Sequence, residues 1–453
     1  MVKSLLAAVG IVLATAAGAF AQDPSTALGA SPARMEQVIQ SHVGAGTFMG
    51  TVLVARDGKV VLDKAYGMAN IEWDVPNAPN TKFRLGSITK QFTAAAILLL
   101  EERGKLKIDE RIKTYLPDIP MSWERITVNN LLTHTAGLPN FTALPEYESA
   151  KGRATTVDVT LATLRDKVLD FGPGEKMSYS NSGYLALGSI IEKVSGQSYE
   201  KFVADNLFAP LGMKDSGYDS NTQLIKRRAS GYNRIASGYV NAGYIHMSVP
   251  HAAGALYSTT EDLLKWEEAL FGGKVISKAS LDRMITPFKN NYALGLTVRL
   301  ENGRRVIAHG GGIDGFNTHM AYYPDTRTVV IALSNVAGPV PGVIGGQLSA
   351  IMHGEAVMLT TERKEIALPA AALSKYFGVY SLAPAVTLTV ALDGDQLTTQ
   401  LTGQGKLPIF PQSETMFFLK VVDAQLEFAA DASSVVLHQG GRSQKATRQL
   451  QQW

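Results

Sequence analysis

A hydroxyl and an amine stand three residues apart at Ser87 and Lys90, within Phe83-Arg84-Leu85-Gly86-Ser87-Ile88-Thr89-Lys90. The apolar run Phe92 to Leu100 follows, so the pair opens a predicted helix. Residues at this spacing share a helix face, and the two groups can meet in one pocket. A helix N-terminus adds unpaired N–H groups and a positive dipole end, surroundings suited to a nucleophile that develops negative charge. The plainer reading is a capping serine followed by a solvated lysine, and four residues do not decide between the two. Two later stretches bear on the choice: Tyr179-Ser180-Asn181, and His309-Gly310-Gly311 followed by Gly312. Taken singly they read as a packed tyrosine, a turn asparagine and a core histidine.

Local signals supply the elements that would position these groups. Pro32 to His42 can form a helix, and Thr51–Ala55 and Val60–Ala65 read as strands joined through Asp57-Gly58, a hairpin signal. The Ser87 helix should stop at Gly104, and a helix over Ser182 to Val194 at Gly196, since glycine favours the left-handed C′ position. Between Ile108 and about Leu270 helical signals dominate. Thr127 looks like a helix cap, and Ser258-Thr259-Thr260-Glu261 has the spacing of a capping box with Ser258 as the cap. Strands are expected at Tyr292–Leu300, Arg304–Ala308, Thr318–Tyr323 and Thr328–Leu333, and a closing helix over 343–358. This pattern predicts one α/β (α+β) domain: an antiparallel sheet that joins both ends of the domain, flanked by helices and with a helical subdomain. Residues 361–372 read as a linker. From 373 to 453, evenly spaced short strands predict a small all-β barrel or sandwich.

Composition narrows the rest. At 453 residues, two or more domains are expected, and 45% hydrophobic with 18% charged residues fits a globular protein. The formal charge is +3, too small to suggest nucleic-acid binding. Residues 1–21 read as a signal peptide, with Lys3, an apolar stretch through Val12 and the small-x-small site Ala19-Phe20-Ala21. The remaining 22–360 would form the main domain of a periplasmic or secreted protein. No later stretch is a convincing transmembrane helix. With no cysteine, disulfides and an N-terminal lipid anchor are excluded. No metal-ligand spacing and no Gly-rich phosphate loop occurs, so no metal or cofactor is expected.

Ser87-Ile88-Thr89-Lys90, Leu131-Leu132-Thr133-His134-Thr135-Ala136-Gly137-Leu138, Tyr179-Ser180-Asn181-Ser182-Gly183-Tyr184, Pro210-Leu211-Gly212-Met213 and His309-Gly310-Gly311 occur in that order. On these stretches the chain, over about residues 35–355, resembles the serine β-lactamase-like hydrolases. These include class C β-lactamases, D,D-peptidases, D-aminopeptidases and related esterases. The terminal β region resembles the lipocalin-like appendage of some members. The resemblance implies acyl transfer through a covalent serine. Ser87 would attack a carbonyl, with Lys90 and Tyr179 as one proton-sharing unit whose working base is left open. Tyr179 would carry protons provided lysine charge favours its phenolate. Asn181 would orient the substrate or Lys90. The backbone N–H groups of Ser87 and Gly312 would form the oxyanion hole.

His309 is a departure, because β-lactamases and penicillin-binding proteins usually carry Lys-Thr-Gly at this place. A group titrating near neutral pH would replace a fixed cation and weaken attraction for a substrate carboxylate. Gly310 and Gly311 would let substrate backbone approach the strand. His-Gly-Gly-Gly also serves α/β-hydrolases, but no Gly-x-Ser-x-Gly elbow is present. His134 reads as structural, and His246 and His251 as lining the entrance or packing. The expected function is an exported hydrolase of short D-residue peptides or small esters. The alternatives are a class C-like β-lactamase and a catalytically silent binder of penicillin or peptidoglycan fragments. Its oligomeric state is not legible in the sequence.

Overall fold

The computed structural model describes residues 31–394, 396–420, 424–439 and 442–449. The signal peptide expected at 1–21 lies outside them. The predicted hairpin forms between β1 (Gly50–Arg56) and β2 (Lys59–Tyr66), and Asp57 and Gly58 take the positive φ values that such a turn demands. Four later strands complete the sheet: β3 (Thr297–Glu301), β4 (Arg304–Ile313), β5 (Phe316–Tyr323) and β6 (Thr328–Ser334). All neighbours are antiparallel, in the order β3-β4-β5-β6-β1-β2. The two ends of the domain therefore meet at the β1–β6 pair, as expected.

Strand alternation builds three layers. Val52, Val54, Val330 and Ala332 face one side, where Met35, Val38 and Ile39 of α1 (Pro32–Gly44) and Ile344 and Leu348 of α5 (Val340–Met352) cover them. Leu53, Ala55, Ile331 and Leu333 face the other side and join the larger core. At its centre lies α2 (Thr89–Glu102), buried nearly all round, which is why the sequence there shows an apolar run rather than a stripe. Against α2 pack α3 (Asn181–Ser195), α4 (Thr260–Phe271) and the short helix His251–Gly254. Gly196 ends α3 in the left-handed conformation.

Three local expectations are corrected. The cap of α4 is Thr259, whose Oγ1 accepts from Asp262 N at 3.2 Å, because Ser258 is held in a strand against Phe83. Residues 292–296 are not strand, since β3 begins at Thr297. Strand β4 does not stop at Ala308 but runs through the three glycines to Ile313.

Beyond the sheet domain, a nine-stranded antiparallel sheet forms from β7 (Gly378–Ala383), β8 (Val386–Asp393), β9 (Gln396–Leu401), β10 (Leu407–Pro408), β11 (Phe410–Pro411), β12 (Met416–Phe418), β13 (Ala424–Phe428), β14 (Ser434–Gln439) and β15 (Arg442–Arg448). Its order is β10-β9-β8-β7-β15-β14-β13-β12-β11. The two edge strands, β10 and β11, are separated only by buried Ile409, so the sheet curls into a nearly closed barrel. Tyr376, Tyr380, Phe417, Leu426 and Phe428 fill it. The segment between the two bodies is bonded to both: Glu362 pairs with Arg34, and Ile366 N donates to the Pro411 carbonyl at 2.9 Å.

Candidate active site

Ser87 sits on a tight turn rather than on the helix itself. Phe83–Arg84 pairs with Leu256–Ser258, Gly86 takes φ +55°, and Gly86–Ile88 forms a single 3₁₀ turn that feeds α2. Strand β4 lies hard against this turn. A Cβ on Gly311 would meet the Leu85 carbonyl oxygen at 1.9 Å, and one on Gly86 would meet Gly312 N at 2.8 Å. Thr318 Oγ1 on β5 donates to the same Leu85 carbonyl at 2.8 Å. The glycines therefore divide their work by strand alternation. Gly310 and Gly312 are exposed, while buried Gly311 is required by the nucleophile turn rather than by a substrate. Beyond Ala308 the strand also loses β3 as a partner, which leaves the edge of residues 309–313 open on that side among the described residues.

Lys90 is buried one helical turn below Ser87. Its Nζ lies 2.9 Å from Ser87 Oγ, 2.9 Å from Asn181 Oδ1 and 2.8 Å from the Ala253 carbonyl oxygen. Burial holds the amine well below the usual lysine range. A neutral amine has two N–H groups and one lone pair. The Asn181 and Ala253 oxygens can only accept, so they take the two N–H groups and leave the lone pair for the Ser87 hydroxyl. Asn181 is itself fixed: its N–H donates to Asn140 Oδ1 at 3.0 Å and its Nδ2 to Thr142 Oγ1 at 3.2 Å. Ala253 belongs to the short helix after His251, and Thr93 Oγ1 ties the neighbouring Ala252 carbonyl at 2.7 Å.

Tyr179 faces the cleft with 36% of its surface exposed, and its ring centroid lies 4.9 Å from Lys90 Nζ. Surrounding protein pushes its phenol upward, opposed by a hydrogen bond to Ser87 and moderated by the exposure. With Lys90 neutral, no cation favours a phenolate, so the resting tyrosine is a proton donor; the proviso drawn from sequence is not met. His134 holds this segment. Its carbonyl accepts from Ser178 N at 2.9 Å, its Nδ1 from Ser180 N at 3.2 Å, and its ring packs 4.2 Å from that of Tyr179. Burial keeps it far below the histidine range, which agrees with a structural role.

His309 is 8% exposed. Its Nδ1 donates to the Gly310 carbonyl at 2.6 Å, which leaves Nε2 to accept from Tyr292 Oη at 3.1 Å. Burial lowers it to about 4. The expected titration near neutral pH is thus corrected: the imidazole is uncharged across that range.

Ser87, Tyr179, His309, Gly310, Gly311 and Gly312 line one cleft of about 410 Å³, which continues past Asn317 and His319 to Pro339 and Pro341 at the start of α5. Lys90 and Asn181 stand behind Ser87. His246 and His251 do not line it: His246 bonds Ser248, and His251 is buried against Tyr199 and Tyr218. The Ala253 carbonyl, Tyr292 and His319 were not singled out from sequence. A backbone oxygen carries no residue-type signal, and the two side chains sit in stretches read only as strand.

A serine whose hydroxyl meets a buried neutral amine beside a glycine-rich strand edge defines a serine hydrolase site. Residues 35–349 match the family described as Beta-lactamase. The chain is 31% identical to Penicillin-binding protein 4* of Bacillus subtilis (strain 168) over 443 residues, 88% of this chain and 95% of that protein. Among solved structures it is similar to the octameric penicillin-binding protein homologue from Pyrococcus abyssi, with TM-score 0.65 and 27% identity over 92% of this chain and 99% of that one. It is also similar to the D-amino acid amidase from Ochrobactrum anthropi SV3 complexed with D-phenylalanine, with TM-score 0.60 and 26% identity over 67% and 91%. The chain belongs to the Beta-lactamase family and is a serine hydrolase of that type. Residues 362–442, which include most of the barrel, match a domain of unknown function, DUF3471, and that match gives no support to a lipocalin-like reading.

Proposed function

We propose that this chain, exported by the segment at 1–21, hydrolyses amides or esters of small acyl donors that carry no carboxylate, through an acyl-enzyme on Ser87. D-amino-acid amides, short D-residue peptides whose C-terminus is blocked as an amide, and small esters are the leading substrates. The observation that carries the reading is the charge of the cleft: none of its lining residues is Lys, Arg, Asp or Glu, and His309 is neutral. A penicillin or a peptide ending in a free carboxylate finds no fixed cation there. An amide or ester needs none. The likeness to an amidase complexed with D-phenylalanine supports the same substrate class.

The steps follow from the donors and acceptors. Lys90 takes the Ser87 proton on its lone pair as Oγ attacks the carbonyl carbon. The oxyanion is met by the N–H groups of Ser87 and Gly312. The proton passes through the Tyr179 phenol, which gives its own proton to the departing amine or alcohol and regains one from Lys90. The C–N or C–O bond breaks and leaves a Ser87 ester. Water then attacks that ester, the same groups carry its proton to Ser87 Oγ, and the free acid departs.

The test is a panel of D-amino-acid amides, p-nitrophenyl esters and nitrocefin, with mass spectrometry for a Ser87 adduct. Turnover of amides or esters is expected, abolished in Ser87→Ala and reduced by several orders of magnitude in Lys90→Ala. Efficient turnover of nitrocefin alone would establish the β-lactamase reading instead. Neither turnover nor adduct would mark a silent binder.

A further inference from the structure

A second cavity, of about 280 Å³, lies on the far side of the β4–β5 turn. It shares no lining residue with the Ser87 cleft. Asp314 and Phe316 form part of its wall, whereas Gly312 and Asn317, on either side of the same turn, face the cleft. Arg84 and Arg228 form another part. Between these two guanidinium groups stands one carboxylate, Asp219, whose side chain is fully buried. Arg84 Nε donates to Asp219 Oδ2 at 2.6 Å, and Arg228 Nη1 donates to Asp219 Oδ1 and to the Ser220 carbonyl. Both Nη groups of Arg84 and Nη2 of Arg228 have no acceptor among the described residues. The other charge in the lining, Asp314, is met by Lys151 at 2.6 Å, and Lys151 also pairs with exposed Glu148.

Two permanent cations thus share one anion beside a cavity, with their remaining donors unused. A guanidinium fork matches the paired oxygens of a carboxylate, and a charge sheltered from water is costly when left without a counterion. Exposed Tyr244 at the lining offers an aromatic surface beside it. We propose that this cavity binds a carboxylate ligand on Arg84 and Arg228, separately from the bond-breaking cleft. Two sources share that chemistry: a free acid such as the product of hydrolysis, or a carboxylate on the remote end of a longer substrate. The inference rests on this geometry and not on the acyl-enzyme reading, because binding is measured without turnover.

Isothermal titration of the full-length chain with sodium succinate, at ionic strength held constant with chloride, tests it. Saturable binding is expected, weakened at least tenfold in Arg228→Gln, and crystals soaked in succinate should place one carboxylate within hydrogen-bond distance of the unused Nη groups of Arg84 and Arg228. If Arg228→Gln does not fold, the soak of the unaltered protein decides. No saturable binding, or succinate found only beside Ser87, overturns the site. Kinetics then separate the sources. A change in turnover of a neutral p-nitrophenyl ester on adding D-phenylalanine, lost in Arg228→Gln, assigns a free acid. A KM lower for esters carrying a remote carboxylate than for neutral ones, with that difference lost in Arg228→Gln, assigns the substrate's own end.

Discussion

Asn181→Leu isolates what orients the Lys90 lone pair. The substitution keeps the size of the side chain and removes one of the two acceptors that occupy the amine's N–H groups. One N–H is then left unpaired in a buried site, at a cost of about 1–3 kcal/mol. The amine can escape that cost by turning an N–H toward Ser87 Oγ, which is the unproductive arrangement. Either way the transition state loses about the same free energy, or roughly 5- to 150-fold in kcat at 1.36 kcal/mol per decade. The pH profile adds a sign. A carbonyl acceptor favours the charged ammonium over the neutral amine, so removing it lowers the Lys90 pKa further. Activity needs the neutral amine and falls as pH drops through that pKa, so the acid limb should move to lower pH in the variant. Steady-state kinetics on a p-nitrophenyl ester from pH 4 to 9 read both quantities. An unchanged kcat, or an acid limb displaced to higher pH, would refute the reasoning.

Other expectations follow from neighbouring groups. His309→Lys places a fixed cation in a cleft that has none, and a charge pair about 4 Å apart is worth about 1–4 kcal/mol between water and a surface-like dielectric. The ratio of kcat/KM for a carboxylate-ended D-peptide over the matching amide should therefore rise at least about fivefold at 1.36 kcal/mol per decade; an unchanged ratio would remove His309 from the specificity argument. Away from the site, Glu267 on α4 is 3% exposed with Oε2 unpaired, and burial raises it from 4.5 to about 8. The folded state keeps a proton that the unfolded chain releases above about 4.5, so stability falls as pH rises from about 4.5 to about 8. At pH 7 the loss is about 3 kcal/mol from the 1.36 kcal/mol per unit relation. Glu267→Gln should gain on the parent by about 1.4 kcal/mol per pH unit across that window in urea denaturation, and a flat difference would count against it.

What could be read from the sequence divides by the range of the physics that sets it. The Asp57-Gly58 hairpin and the helix ends at Gly104 and Gly196 depend on backbone conformations that only a few residue types adopt easily, so residue type reveals them. The order of the Ser87, Tyr179 and His309 stretches was legible for a different reason, likeness to relatives, and that likeness carries no distances. Burial was not legible, because it is a property of the whole core. It holds the Lys90 amine well below the usual lysine range, holds His309 near 4 and pushes the Tyr179 phenol upward, and those shifts suit three residues to act as a base, an uncharged wall and a proton donor. The extension of β4 was missed because glycine is a poor strand former, so the apolar strand pattern ends at Ala308. Strand pairing overrides that preference: Gly310, Gly311 and Gly312 sit in register with His319, Thr318 and Asn317 of β5. The reason the strand accepts a glycine at 311 lies more than two hundred residues upstream, at the Leu85 carbonyl, 1.9 Å from where any side chain would begin. The same closeness lets one short turn carry Ser87 beside the N–H of Gly312. The residue type at 311 is therefore set by the position of the nucleophile, a constraint visible only once the two segments are brought together in space.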